Sequence, residues 1–375
     1  MALLSLSLDE LRTRTSLKWR HYPADVLPMW VAEMDVAMHP AVRETLLVAI
    51  DRGDTGYPDG TAYAEAFAAM AAARWDWQLD VPAQVRRAGD VMNSVLAVLE
   101  ATTSPGDAVV INPPVYPPFQ QVVSGYRRTI TEAPLTAAGR LDLATLEAAF
   151  AGPDHPRAYL LCSPHNPTGA VHTAAELTAV MELAAHYDVR VVVDEIHACL
   201  VDPGADFVPL LTVPGGERAI SVTSAGKAWN LAAVKAGLII AGTDASAVLG
   251  ALPPLAQQSS GHLGNLLHTA ALVHAQDWVD ELAGEIATNK QALARELAAH
   301  LPEVGYAPAD GTYLAWADCS ALGLADPSRQ FLDVGRVAFS PGANFARSHR
   351  QWVRIKLACS PGPVVEGVRR MAASV

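Results

Sequence analysis

The sequence predicts an α/β protein, with a large domain built on a mostly parallel sheet between helices and a smaller α+β domain. Three observations carry this. From Val85 to Ala241 short apolar runs alternate with helical stretches, the pattern of strands buried on both faces. Leu266 to His300 reads as continuous helix, long enough to join two domains. The chain has 375 residues, 51% of them hydrophobic, enough for two or three domains with large cores.

The elements follow in order. A short helix is expected over Leu8–Thr15, and Pro23 and Pro28 break the chain before the apolar Met29-Trp30-Val31-Ala32. Pro40 to Asp51 reads as a helix with proline in its first turn. The loop 53–60 then leads into an Ala-rich helix, Ala62–Ala73. The strands are expected at Ala108–Ile111, Ala158–Cys162, Arg190–Val193, Ala219–Val222 and Gly237–Ala241. The helices between them are Val91–Thr102, Asp142–Phe150 and Ala174–Tyr187. After the long helix come Thr312–Asp318, Arg336–Phe339, Val353–Leu357 and a terminal helix. The large domain is assigned to residues 45–276. The small domain is assigned to 277–375 together with the N-terminal segment 1–44, which is expected to pack against it.

The formal charge is −12 and no Lys/Arg-rich run occurs, which argues against a nucleic-acid surface. Four scattered cysteines without a C-x-x-C pair read as reduced thiols, and no Cys/His cluster has metal-ligand spacing. The first residues lack a signal-peptide pattern, and no apolar stretch reaches membrane-spanning length. A cytoplasmic protein is expected.

The most informative residue is Lys227, in Ser224-Ala225-Gly226-Lys227-Ala228-Trp229-Asn230, just past a buried strand. A long cation among small residues there must be neutral, paired or covalently engaged. In a doubly wound fold functional groups collect at the C-terminal strand ends. Asn166 follows one strand, between Pro164 and Pro167. Asp194 and His197 follow another, and Tyr116 follows Pro113-Pro114. An acid after three valines is costly without a cationic partner. Each residue alone has an ordinary reading as turn former, helix cap, core histidine, loop packing or snorkelling lysine. Together they supply an amine, an acid, a hydrogen-bond donor and a ring.

The order N-P-T-G, D-E-I-H, S-x-x-K resembles the fold-type I pyridoxal-phosphate enzymes of the class I/II aminotransferase group. More narrowly it resembles the MalY/PatB branch of C–S β-lyases. The stretches "LKWRHYPADVLPMWVAEMD", "PPVYPPF", "VVVDEIHACLV", "SAGKAWNLAAVKAG" and "WVRIKLACSP" carry the narrower likeness. The resemblance implies a seven-stranded large-domain sheet, pyridoxal 5'-phosphate as cofactor and a homodimer with shared active sites. It implies that Lys227 forms the Schiff base and moves the substrate proton. Asp194 would hold the pyridine nitrogen, Asn166 the phenolate oxygen, and Tyr116 the ring face, with a possible acid–base role. His197 would back the Asp194 contact. The phosphate would rest on the backbone of Val91 and Met92 at a helix N-terminus, aided by Ser224, Lys235 and Tyr57 of a neighbouring subunit. Arg354 would clamp the substrate α-carboxylate, a geometry lysine cannot reproduce. Trp30 and Val31 would line the same end.

The chain departs from the branch at Met92-Asn93-Ser94, Gly226, Cys199 and Ala346, and His262 has no assigned role. No second arginine is evident for a side-chain carboxylate, Arg20 and Arg128 being unplaced. The reaction expected is therefore β-elimination of cystathionine or an S-substituted L-cysteine to thiol, pyruvate and ammonia. An aminotransferase is the alternative, and a catalytically idle regulator or binding protein the third reading.

Overall fold

A computed structural model of the chain describes residues 2–375. Its main sheet has seven strands, in the spatial order Val85–Ala88, Gly237–Ala241, Ile220–Thr223, Arg190–Asp194, Ala158–Cys162, Ala108–Ile111 and Thr129–Glu132. Gly237–Ala241 runs antiparallel to both its neighbours, and every other pairing in the sheet is parallel.

The central strands are apolar because both faces are covered. Val109, Leu160 and Val192 point into one core with Val95, Val98 and Leu99 of the helix Val91–Thr102. Their neighbours Val110, Leu161 and Val193 point into the other with Leu146, Leu177 and Val180. This is the two-residue alternation of a pleated strand. The helices are fixed at their starts by side-chain caps. Thr173 and Glu176 form a capping box, and Asp90 and Asp142 accept first-turn amides.

A second, antiparallel sheet is built from Ser340–Pro341, Trp352–Lys356 and Leu314–Asp318, with Trp352–Lys356 central. Its core takes in Leu293, Leu297, Val364 and Val368 from the flanking helices. Leu27 and Met29 of the N-terminal segment join this core, and Leu27–Pro28 pairs in parallel with Val337–Ala338. Among the described residues no helix is long and apolar enough to cross a membrane.

Some elements differ from expectation. The single helix expected over Leu266–His300 is two, His262–His274 and Gln276–His300. They break at Ala275, whose carbonyl accepts the indole N–H of Trp229 at 2.9 Å. The strands Val85–Ala88 and Thr129–Glu132 were not anticipated. They are the two edges of the sheet, and their sequences, Val-Arg-Arg-Ala and Thr-Ile-Thr-Glu, lack the apolar run of a central strand. The helix Pro117–Gly125 was also missed, although Pro117 and Pro118 suit its first turn.

Candidate active site

The parallel strands deliver their polar residues to one end of the sheet, around a cavity of about 150 Å³. Lys227, Asp194, Asn166, Tyr116, His197, Ser224, Lys235, Val91 and Met92 all line it. Nine residues read from sequence thus converge, although they span positions 91 to 235.

Lys227 lies in the turn that follows Ile220–Thr223. It is half-buried, its accessible surface facing the cavity, and its ammonium donates to the Ala32 carbonyl at 2.9 Å. Burial, reinforced by the Arg354 guanidinium, pushes its pKa down to about 8. Asp194 ends its strand fully inside, 3% exposed. One oxygen accepts the Ile196 amide at 3.0 Å, and no cationic side chain among the described residues forms an ion pair with it. Burial therefore raises its pKa to about 7. His197 is buried beside Asp194 in sequence, edge-on to Tyr313 at 5.9 Å, with Nδ1 unpartnered. Burial, then Lys227 and Arg354, drive its pKa down to about 3, so the ring is neutral.

Asn166 sits in the turn between Pro164 and Pro167, tied by the Gly169 amide to the His165 carbonyl at 2.8 Å. Its side-chain oxygen accepts from Arg354 at 3.0 Å, which leaves the amide NH₂ as its free donor group. Tyr116 caps the helix Pro117–Gly125 and meets Phe119 edge-on at 6.0 Å. Burial and Asp194 raise its pKa, keeping the phenol protonated.

Arg354 comes from the other sheet and does not line the cavity itself. Besides Asn166 it donates to the Trp30 carbonyl at 3.1 Å and Ser340 Oγ at 3.2 Å, and it stacks over Phe345. Arg354 is 6% exposed, pairs with no carboxylate among the described residues, and has Nε unpartnered. Burial lowers its pKa to about 10. Trp30 and Val31 lie in the segment passing this point, the Trp30 ring packing on His21 and Tyr22 at 4.9 and 5.5 Å. Tyr57 is not brought into the cavity; it is 97% exposed.

At the opposite end of the cavity the helix Val91–Thr102 begins. The amides of Val91 and Met92 have no acceptor among the described residues, the ordinary condition of a first helical turn. Close approaches shape this corner. A Cβ on Gly237 would lie 3.0 Å from the Asp90 backbone, and one on Gly264 2.4 Å from the Lys235 carbonyl. Two details differ from expectation. Lys235 pairs with the Asp90 carboxylate at 3.1 Å. The Ser224 hydroxyl donates to the Ala236 carbonyl at 2.7 Å and accepts the Gly226 amide at 3.0 Å, so its proton is already used.

Sequence reasoning passed over several residues here. Asp90 carries a visible cap signal but not its pairing with Lys235. His268 and Tyr63, joined at 3.3 Å behind the lysine turn, are hidden in helical patterns. Ala32 acts through its carbonyl, and Cys162 lines the wall as a buried thiol. Neither carries a side-chain signal.

The model of the class I and II aminotransferases matches residues 25–371. The chain belongs to this family. It is 32% identical to the cystathionine beta-lyase of Corynebacterium glutamicum, covering 97% of this chain and 98% of that one. It is 32% identical to the cystathionine beta-lyase PatB of Bacillus subtilis, covering 94% and 93%. MalY of Escherichia coli is 30% identical over 92% and 90%. These likenesses place the chain in the MalY/PatB-type branch. The solved structure of cystalysin from Treponema denticola, which contains pyridoxal 5'-phosphate, superimposes with a TM-score of 0.92 at 24% identity, covering 100% and 98%. It shares the fold.

Pyridoxal phosphate is the cofactor of the family, and the residues present fit it. Asp194 is a buried acid lacking a cation, and a protonated pyridine nitrogen is one. Unpaired amides at a helix N-terminus suit a phosphate. The free NH₂ of Asn166 and the amine of Lys227 face the same cavity. The cofactor supplies an electron sink for the carbanion formed at the substrate α-carbon.

Proposed function

We propose that this enzyme is a pyridoxal-phosphate-dependent carbon–sulfur β-lyase acting on cystathionine or another S-substituted L-cysteine. The thioether plus one water gives thiol, pyruvate and ammonium. The observation that favours this substrate class is the absence of a second guanidinium. No arginine lines the cavity. Arg128 is spent on the carbonyls of Leu99, Thr103 and Tyr126, and Arg20 is exposed. The short side-chain carboxylate of an aspartate-like substrate, held close to the α-carbon, would meet no guanidinium among the described residues that line the cavity.

In this reading Arg354 takes the α-carboxylate, exchanging neutral acceptors for a charged one. Lys227 removes the α-proton, its lowered pKa leaving a useful neutral fraction near pH 7 to 8. Asp194 holds a proton on the pyridine nitrogen, and neutral His197 packs behind it. Asn166 donates to the phenolate oxygen, and Tyr116 covers the ring and stands ready to protonate the departing thiolate. Val91 and Met92 hold the phosphate through their amides. Lys235 shifts to it from Asp90, and Ser224 turns to add a donor. Trp30 and Val31 border the substrate. Tyr57 reaches the phosphate of a second copy, so the active unit is a homodimer. Four free buried thiols suit a reducing cytoplasm.

Purified holoenzyme given L-cystathionine should release pyruvate and thiol without any keto acid, and Lys227→Ala should abolish both release and the visible cofactor band. Turnover that requires a keto acid, with pyridoxamine phosphate accumulating, would identify an aminotransferase. A holoenzyme inert toward every cysteine conjugate would point to the idle regulator.

A further inference from the structure

The stretch Lys18–Asp35 carries much of the likeness to the branch, yet the roles above use only Trp30 and Val31 of it. Its two ends meet in the interior. The Lys18 ammonium contacts one oxygen of the Asp35 carboxylate, and Lys356 donates to the other at 2.6 Å. The three side chains are 1–2% exposed. Lys356 lies two residues past Arg354 on the same strand, hence on the same face.

From Met29 to Asp35 the chain forms no helix or strand, and its backbone groups are taken up by site-bearing elements. The Met29 carbonyl accepts the Lys356 amide at 2.9 Å. The Trp30 carbonyl accepts from Arg354 at 3.1 Å and from Ser340 Oγ at 2.7 Å. The Ala32 carbonyl accepts from Lys227 at 2.9 Å and the Tyr313 hydroxyl at 3.0 Å. Met34 is gripped on both sides by Asn230, which accepts its amide at 2.9 Å and donates to its carbonyl at 3.0 Å. The Asp35 amide donates to Ala358 at 2.9 Å. Asn230 is three residues past Lys227, in the same turn and at φ 56°.

We propose that segment 29–35 is a spacer that sets the separation between Arg354 and Lys227, and that Asp35 and Asn230 are its positioning residues. Asp35 anchors it to the strand of Arg354 and Asn230 anchors it to the turn of Lys227. The proposal rests on the reading of Arg354 as carboxylate clamp and Lys227 as base. A buried ion cluster is a poor way to gain stability, because desolvation costs several kcal/mol per ion and apolar residues do as well. Two lysines on one carboxylate crowd positive charge in the interior, and burial, with Lys356 close by, lowers the Lys18 pKa. What the cluster supplies is directional contact that fixes one register of an irregular segment.

The test uses holoenzyme variants that leave the backbone at ease. Asn230→Gly keeps the left-handed conformation and deletes only the amide bonds to Met34. Lys18→Met removes the excess charge and leaves Asp35 with Lys356. Both should fold and keep the cofactor band. With L-cystathionine Asn230→Gly should lose about 10- to 100-fold in kcat/KM, carried mainly by KM, while Lys18→Met, which keeps the Asp35–Lys356 anchor, should stay within about threefold of wild type. Asn230→Asp, which keeps only the acceptor for the Met34 amide, should fall between. A second readout needs no substrate. Hydrogen exchange at the Met34 and Asp35 amides should quicken at least about tenfold in Asn230→Gly, one pK-sized loss of local protection. If exchange there is unchanged, the spacer is refuted whether or not cystathionine is the substrate. If the wild type turns over cystathionine and Asn230→Gly stays within about threefold of its kcat/KM, well under the loss that misplacement brings, the segment is merely structural. Should the wild type be inert with cystathionine while exchange quickens as stated, the substrate assignment fails and the spacer stands.

Discussion

Replacing Asp194 by asparagine separates what the cofactor contributes from what the fold tolerates. The carboxyl is 3% exposed, and its only polar contact, the Ile196 amide, can be kept by the asparagine oxygen. Burial raises its pKa from 3.8 to about 7. A raised acid pKa means that the protonated form carries stability present in full below the unfolded value and lost as pH rises through the folded one. Relative to the unfolded chain the buried carboxyl then costs about 4 kcal/mol at pH 8, where it ionises without a partner, and about 2 kcal/mol at pH 5, where it stays protonated. Freed of its cofactor, Asp194→Asn should therefore be more stable than wild type, with an advantage wider by about 2 to 3 kcal/mol at pH 8 than at pH 5. For a chain this long that is about 3 °C in Tm. Thermal melts of both apoproteins at the two pH values measure it. With cofactor the order should reverse, because the pyridinium that pairs with Asp194 gains nothing from asparagine, and pyruvate release should drop by about 10²–10⁴-fold. An apoprotein variant less stable than wild type at pH 8, or an advantage that does not widen with pH, would refute the account of Asp194 as an unpaired buried acid.

Arg354→Lys should raise KM for L-cystathionine by about 10- to 100-fold while changing kcat less, since a point charge cannot reproduce bidentate binding; steady-state kinetics decide it. Tyr57→Phe should weaken cofactor retention by about 10- to 100-fold, the worth of one hydrogen bond to a charged group, and the loss should appear as cofactor release on dilution of the dimer. Leu160→Ala, at a fully buried position in the central sheet, should cost about 2–5 kcal/mol of stability without altering KM, read by urea unfolding and kinetics side by side.

The legible parts of this protein were those written in side-chain chemistry at strand ends. Asn166, Asp194 and Lys227 each follow an apolar run, and the sheet carries all three to one cavity. The central strands were legible for the same reason, their burial on both faces forcing continuous apolar sequence. The edges were not. Val85–Ala88 and Thr129–Glu132 have solvent on one side and read as loop. Ala32 and the amides of Val91 and Met92 act through the backbone, which any residue supplies. The charges at Lys18, Asp35 and Lys356 were invisible as a group because 338 positions separate the first from the last, and each alone is an ordinary surface residue type.

The division between the two sheets has a consequence for how the site must work. Asn166, Asp194 and Lys227 belong to one rigid array, hydrogen-bonded strand to strand. Arg354 belongs to the other sheet and touches that array through one side-chain bond, Nη1 to Asn166 Oδ1 at 3.0 Å. In the proposed reading a substrate carboxylate draws at least part of the guanidinium away from its present neutral acceptors. The Asn166 bond is therefore a poor ruler, since binding itself disturbs it. The route through Met29 to Asp35 is a better one, because its anchors at Lys356, Ala358 and Asn230 are atoms no substrate contacts. Proton transfer at the α-carbon depends on the distance between the group that fixes the carboxylate and the amine that takes the proton. That distance is best set by parts of the chain that the reaction leaves alone.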